Sequence, residues 1–188
     1  MTARRATQHS FSETPPEVIY WDSNFLLSSL LSDDTNHMRC LNFCLSIQSA
    51  STRVVYSQAT LIESIIKCHR AAKEGHLPSP QRLLPLGTDF LFSYCIAEWQ
   101  RTLRSFLRQF RDCWEVNITK SVMKRVFPLI RQYHLDVFDA LHIATMQHVG
   151  CNHIACLDEH FLRISNLHVW NGLIFAPLKP RRKGRNAI

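Results

Sequence analysis

The chain has 188 residues, with 46% hydrophobic and 20% charged side chains, a balance that suits one globular domain and argues against disorder over most of the length. No run approaches the roughly 18 apolar residues needed to span a bilayer, so an integral membrane protein is excluded. The formal net charge is +7, from 22 basic and 15 acidic residues, and the segment Lys179–Arg185 alone carries five of the positive charges. Residues 176–188 therefore read as a basic tail able to touch phosphate, with Arg181 and Arg182 its central charges, or else as a solvated terminus.

Residues 1–16 are polar and end in Pro15-Pro16, which reads as a flexible leader rather than a secretory signal. Val18–Trp21 is a short apolar run ending in Asp22, as expected of a buried strand. Residues 24–31 and 33–49 read as two helices, the second with acids at its start to complement the dipole. Arg53–Ser57 is a β-branched run and a second buried strand. Gln58–Lys73 has apolar residues at helical spacing (Leu61, Ile62, Ile65, Ile66) and is closed by Gly75. Residues 77–87 hold Pro78, Pro80 and Pro85 and form a loop. Residues 88–112 then read as one long amphipathic helix, with Arg101, Arg104, Arg108 and Arg111 on one face and Leu103, Phe106, Leu107 and Phe110 on another.

Residues 114–118 alternate like a strand, and 119–133 are helical with Pro128 inside. Residues 136–149 form a helix closed by Gly150. A strand at 153–157, a short helix at 159–164 and a strand at 167–170 complete the domain. Strands that alternate with helices pair in parallel through right-handed crossovers. The expected fold is α/β: a central parallel sheet of about five strands with helices on both faces, spanning residues 17–175, with an enlarged helical middle at 77–112.

Seven cysteines occur without a CxxC, which disfavours a zinc ribbon. Free thiols packed as small hydrophobes fit best and point to a reducing cytoplasm, although the spacing of Cys151 and Cys156 would permit a pair. The ten histidines form no HxxxH or HExxH pattern, which disfavours a zinc hydrolase.

In open parallel sheets the chemistry sits beyond the carboxyl ends of the strands. Asp22 directly follows the first strand and Asp158 the strand at 153–157. Glu63 lies on the helix after the second strand, and Asp139 opens the helix before the strand at 153–157. Four carboxylates from distant segments thus converge on one sheet edge. Like charges so close repel and raise each other's pKa values unless a cation neutralises them. Oxygen donors suit Mg2+ or Mn2+ rather than zinc, and such an ion activates water and stabilises phosphoryl charge. Hydrolysis of a phosphodiester follows from that chemistry. Asn24 and Asp136 are supporting candidates, each also placed to cap a helix. His142, three residues after Asp139, reads as a satisfied core histidine, with a place facing the cleft as the alternative.

These segments carry a resemblance. Val18–Leu27 (VIYWDSNFLL) resembles the opening of a PIN-domain nuclease, where a strand ends in Asp-x-Asn. Ser57–Glu63 (SQATLIE) resembles that family's second element, Asp139–Thr145 (DALHIAT) its D-A-L-H-x-A helix, and Leu157–Phe161 (LDEHF) its final D-x-x-F. The resemblance covers residues 18–170 and implies a three-layer α/β/α fold and a metal-dependent ribonuclease of the toxin–antitoxin kind. It implies Asp22, Glu63, Asp139 and Asp158 as the acidic residues, Mg2+ or Mn2+ as cofactor, RNA as substrate, a homodimer, and inhibition by an antitoxin protein. Cys156 stands where the family usually has Ser or Thr. That departure keeps a second reading open: a catalytically weak or inactive PIN-like domain that binds RNA or protein. The arginines at 101, 104, 108 and 111 serve as an RNA-backbone contact or as a solvated face. A receiver-like phosphoryl-transfer domain would need a Lys near the last strand, where none sits.

Overall fold

Along the central strands, consecutive side chains enter different cores. The computed structural model describes residues 5–74 and 88–172. In chain order it contains β1 (Thr7–Ser10), β2 (Val18–Trp21), α1 (Ser23–Leu30), α2 (His37–Ser49), β3 (Arg53–Ser57), α3 (Gln58–Lys73), α4 (Thr88–Leu107), β4 (Cys113–Val116), α5 (Lys120–Tyr133), α6 (Val137–Val149), β5 (His153–Ala155), a 3₁₀ turn (Glu159–Arg163) and β6 (His168–Asn171). The strands form one sheet in the order β1-β6-β5-β2-β3-β4, with every pair parallel.

Because side chains alternate across a pleated strand, Tyr20, Val55, Ile154 and Val169 pack on one face with Val122, Val126, Leu129, Ile143 and Met146 from α5 and α6. Ile19, Trp21, Val54, Ala155 and Trp170 pack on the other with Phe25, Leu26, Phe43 and Ile47 from α1 and α2 and Trp99, Leu103 and Phe106 from α4. The result is a three-layer α/β/α domain. The central strand, β2, has β3 on one side and β5 on the other. The chain order runs outward from it in both directions, so its carboxyl end lies at the point where the topology reverses.

Helix boundaries follow local chemistry. Thr119 accepts the Val122 N–H and starts α5, and Asp136 accepts the Asp139 N–H at 2.8 Å and starts α6. Gly150, at φ 72°, ends α6 in the left-handed region that glycine enters without strain. Pro128 sits inside α5 without dividing it.

Three expectations need correction. The leader at 1–16 is not wholly loose: Thr7–Ser10 is an edge strand, and the sheet has six strands rather than five. The strand is polar and mostly exposed, so it gives no hydrophobic signal. It is held by its ladder to β6 and by Phe11, which stacks on Phe43 at 4.4 Å. The long helix at 88–112 ends at Leu107, where a turn folds Phe110 onto Trp21. Arg101 and Arg104 therefore lie on the helix, whereas Arg108 and Arg111 lie in the turn that follows it; all four are exposed. The second helix starts at His37 rather than Asp33, and Asp34 instead accepts the Ser28 hydroxyl and the Asn36 N–H. Gly75, the loop at 77–87, Arg181, Arg182 and the tail at 176–188 lie outside the described residues. Cys40, Cys44, Cys68, Cys113, Cys151 and Cys156 are free thiols, and all of these but Cys113 are buried.

The β1 edge carries a histidine cluster. His9 Nε2 and His168 Nδ1 share a proton at 2.9 Å, the rings of His153 and His168 stack at 4.4 Å, and Trp170 Nε1–H donates to His153 Nδ1 at 3.0 Å. Burial, with His168 and His9 beside it, holds His153 down to about 4. A histidine kept neutral by the fold contributes stability that is complete above its unfolded pKa near 6.5 and is lost as pH falls from there toward 4. Urea denaturation of the wild type and His153→Gln at pH 7.5, 6 and 5 is expected to show the wild type losing stability relative to the variant on acidification. A constant difference would disprove the assignment.

Candidate active site at the carboxyl ends of the strands

Four carboxylates and two cationic side chains meet beyond the ends of β2 and β5. Asp22 is fixed where β2 turns into α1: its N–H donates to the Ala155 carbonyl, and its Oδ2 accepts the Asn24 N–H at 3.3 Å. Glu63 reaches the same point from the second turn of α3. Asp139 comes from the first turn of α6, and Asp158 precedes the 3₁₀ turn, where its Oδ1 accepts the His160 N–H at 2.9 Å.

The first half of the site is a salt-bridged network. His142 is fully buried, with Nε2 at 3.0 Å from Glu63 Oε2 and 3.2 Å from Asp22 Oδ1, and Nδ1 at 2.9 Å from the Tyr20 hydroxyl. Burial disfavours its charged form, but Tyr20, Glu63 and Asp22 outweigh that and hold the ring up to about 10. With both nitrogens protonated, Nε2–H donates to the carboxylates and Nδ1–H to Tyr20. The Tyr20 hydroxyl in turn lies 2.6 Å from Ser57 Oγ. Lys67, one turn beyond Glu63, donates to Glu63 Oε1 at 2.8 Å, to Ser23 Oγ at 2.9 Å and to Asn24 Oδ1 at 2.5 Å. Ser23 Oγ–H donates to Glu63 Oε2 at 2.6 Å. Burial pushes the Glu63 carboxyl up, yet the hydrogen bonds from His142, Lys67 and Ser23 prevail and bring it down to about 2. Asp22 is raised, chiefly by burial and further by Glu63, against the pull of His142 and Lys67.

The second half has less compensation. Burial raises Asp139, and Asp136, Asp158 and Asp22 add repulsion that carries it to about 7, with His160 opposing. His160 Nδ1 lies 3.3 Å from both Asp139 Oδ2 and Asp158 Oδ1. The Cys156 thiol is fully buried; burial first, then Asp22, Asp158 and Asp139 around it, keep it protonated, and it donates to the Asp158 carbonyl.

The structure therefore brings Asp22, Glu63, Asp139 and Asp158 to one edge. Asn24 orients Lys67, and Asp136 caps α6 while adding charge beside Asp139. Asp158 does not directly follow its strand: β5 stops at Ala155, and Cys156 and Leu157 intervene. The sequence reading missed Lys67 and His160. The i,i+4 spacing from Glu63 to Lys67 on a helix was the available signal for the first, and the position two residues after Asp158 for the second. His142 satisfies its hydrogen bonds inside the core, as read, and also contacts the acids.

Among the described residues, the donor atoms of Asp139, Asp158 and His160 lie close enough together to hold a metal ion; those of Asp22, Glu63 and His142 are as close, but His142 protonated on both nitrogens has no lone pair to give. The chemistry of the site fits a divalent cation. The four carboxylates outnumber the lysine and the buried imidazolium beside them, and Asp136 adds negative charge next to Asp139, an imbalance that a divalent ion would offset.

Among solved structures, the chain is similar to the Mycobacterium tuberculosis toxin VapC20, which cleaves the sarcin–ricin loop: 15% identity, TM-score 0.53, covering 76% of this chain and 92% of that one. It is also similar to Neisseria gonorrhoeae FitAcB, with 17% identity, TM-score 0.51 and coverage of 82% and 97%. A third similar structure is Rickettsia felis VapBC2 bound to a DNA fragment from its promoter, with 12% identity, TM-score 0.50 and coverage of 82% and 98%. No curated protein matches the sequence significantly. These likenesses share the fold described above, and the PIN domain model matches residues 19–167, a span that includes all four carboxylates. The chain belongs to the PIN domain family.

Proposed function

We propose that the protein is a Mg2+- or Mn2+-dependent endoribonuclease that acts as the toxin of a toxin–antitoxin pair. The observation that carries this reading is the excess of negative charge where Asp22, Glu63, Asp139 and Asp158 meet. Asp139 and Asp158 would hold the cation together with Asp22, and Glu63 would complete the acidic wall. A bound ion would lower the pKa of water and offset charge developing on the phosphoryl group. The chain's own residues do the remaining work. His142 and Lys67 hold Glu63 ionised, and their contacts with it and the contact of His142 with Asp22 would fix both carboxylates in direction. Asp158, half-buried beside the cleft, would assist by holding the attacking water. The reaction is direct hydrolysis of the phosphodiester, with no covalent bond to the enzyme.

The family match and the similarity to VapC20, a toxin that cleaves the sarcin–ricin loop, support the toxin assignment; a cytoplasmic site of action, a homodimer and an antitoxin partner belong to the same proposal. Arg101, Arg104 and Arg108 line an open surface depression of about 360 Å3 with Ala97, Gln100 and Ser105, a surface suited to RNA phosphates. No helix among the described residues is long and apolar enough to cross a membrane.

Cys156 favours a second reading, an RNA-binding domain without cleavage, because a protonated buried thiol is a poor replacement for a hydroxyl near water or metal. One assay separates the two: single-stranded and structured RNAs incubated with Mn2+, with Mg2+, or with EDTA, using wild type and Asp22→Asn. Cleavage by the wild type in metal, lost in EDTA and in the variant, is expected. Salt-sensitive binding with no cleavage in any condition would establish the second reading.

A further inference from the structure

The nitrogen at His160 distinguishes this site from an all-oxygen one. Its Nδ1 lies 3.3 Å from Asp139 Oδ2 and 3.3 Å from Asp158 Oδ1. Charge-assisted N–H···O contacts close to roughly 2.7–2.9 Å, and at 3.3 Å from two oxygens this nitrogen is shared between them. The ring is thus aimed at the gap between two carboxylates rather than bonded tightly to either. The three donor atoms all lie within 4.8 Å of one another. The backbone N–H of His160 holds Asp158 Oδ1 at 2.9 Å, so ring and carboxylate are fixed by the same turn. The ring is 44% exposed, so a cation from solvent reaches this set directly.

Resting on the metal-dependent reading above, we propose that His160 Nδ1 is a ligand to the cation beside Asp139 and Asp158, and that this nitrogen makes the site select Mn2+ over Mg2+. Mg2+ keeps its waters and takes oxygen donors almost exclusively, whereas Mn2+, which shares its preference for carboxylates, is a first-row transition ion that also accepts an imidazole nitrogen. Two carboxylates and one imidazole form a mixed set that an ion such as Mn2+ fills better than Mg2+.

The test is spectroscopic. Mn2+ bound to wild type, His160→Ala and His160→Asn is examined by pulsed electron paramagnetic resonance for coupling to nitrogen, and Mn2+ and Mg2+ affinities are measured by calorimetry. His160→Asn keeps a side chain that hydrogen-bonds the carboxylates but removes the imidazole, which guards against failure of the alanine variant to fold. Nitrogen coupling is expected in the wild type and absent in both variants. Each variant is expected to weaken Mn2+ binding by roughly 10–100-fold, with a much smaller change for Mg2+. Tight Mn2+ binding with no nitrogen coupling, or coupling that persists in the variants, overturns the assignment of His160 and leaves the metal-dependent reading intact. A wild type that binds no Mn2+ at millimolar concentration overturns both.

Discussion

An Asp139→Asn protein is expected to lose RNA cleavage by at least about a thousandfold, a change on the order of 4 kcal/mol in the barrier, and yet to be more stable than the wild type in EDTA. The two effects share one cause. Burial and the carboxylates of Asp136, Asp158 and Asp22 raise Asp139 to about 7 from an ordinary value of 3.8. A carboxyl raised by the fold contributes most at low pH, and its contribution declines as pH rises from about 4 through 7, because ionising it costs more in the folded chain than in the unfolded one. Asparagine carries no charge and escapes that cost. It gives up a favourable first-turn charge on α6, worth about 0.3–1 kcal/mol. The net gain at pH 7 is on the order of 2 kcal/mol, or roughly 4–8 °C in Tm for a chain of this size. Melting curves in EDTA at pH 5, 6, 7 and 8 test the sign: the advantage of the variant should grow with pH and then level off. Saturating Mn2+ should reverse the order, since the wild type gains binding free energy that the variant cannot match. A variant that melts below the wild type in EDTA at pH 7 would show that Asp139 is not held among uncompensated charges.

The parts of this fold that were readable from sequence are those where burial and backbone period coincide. β2 and β3 are continuous apolar runs because both of their faces are covered, and their ends identified Asp22 and the start of α3. The cap at Asp136 and the glycine at 150 marked the ends of α6 for the same local reasons that the structure shows. β1 was not readable, because its stability comes from a neighbour 160 residues away in the chain and from ring stacking rather than from apolar content. The end of α4 was missed because Phe110 continues the apolar spacing of the helix while packing from a turn. At the site, Asp22 was found because a strand end fixes where it points, and Glu63, Asp139 and Asp158 because their segments follow the pattern of the PIN family. Lys67 and His160 were missed because their roles depend on what lies across the cleft, which a single chain of letters does not record. The cost of gathering carboxylates was anticipated, but part of the remedy is internal: Lys67 and the His142 imidazolium offset two charges before any ion arrives.

That internal remedy makes His142 the position where truncation should cost most. In His142→Ala, Asp22 and Glu63 would remain buried with Lys67 as their one close cation, and the Tyr20 hydroxyl would lose its partner on α6. Removing one member of a buried ion pair costs about 3–5 kcal/mol, a large share of the 5–15 kcal/mol that typical domains possess. The pH dependence has the opposite sign to that of Asp139. The folded state holds His142 at about 10 against an ordinary 6.5, so its contribution is complete below 6.5 and is lost as pH rises toward 10. The gap between wild type and variant in urea denaturation, measured in EDTA, should therefore be widest near pH 6 and narrow by pH 9.5. Coupling to Glu63 gives a sharper check. Glu63→Gln removes the charge that His142 neutralises, so the double variant should be less destabilised than the sum of the two single changes. Strict additivity, or a His142→Ala protein within about 1 kcal/mol of the wild type at pH 6, would mean that the buried imidazolium is not what keeps Glu63 ionised in the core.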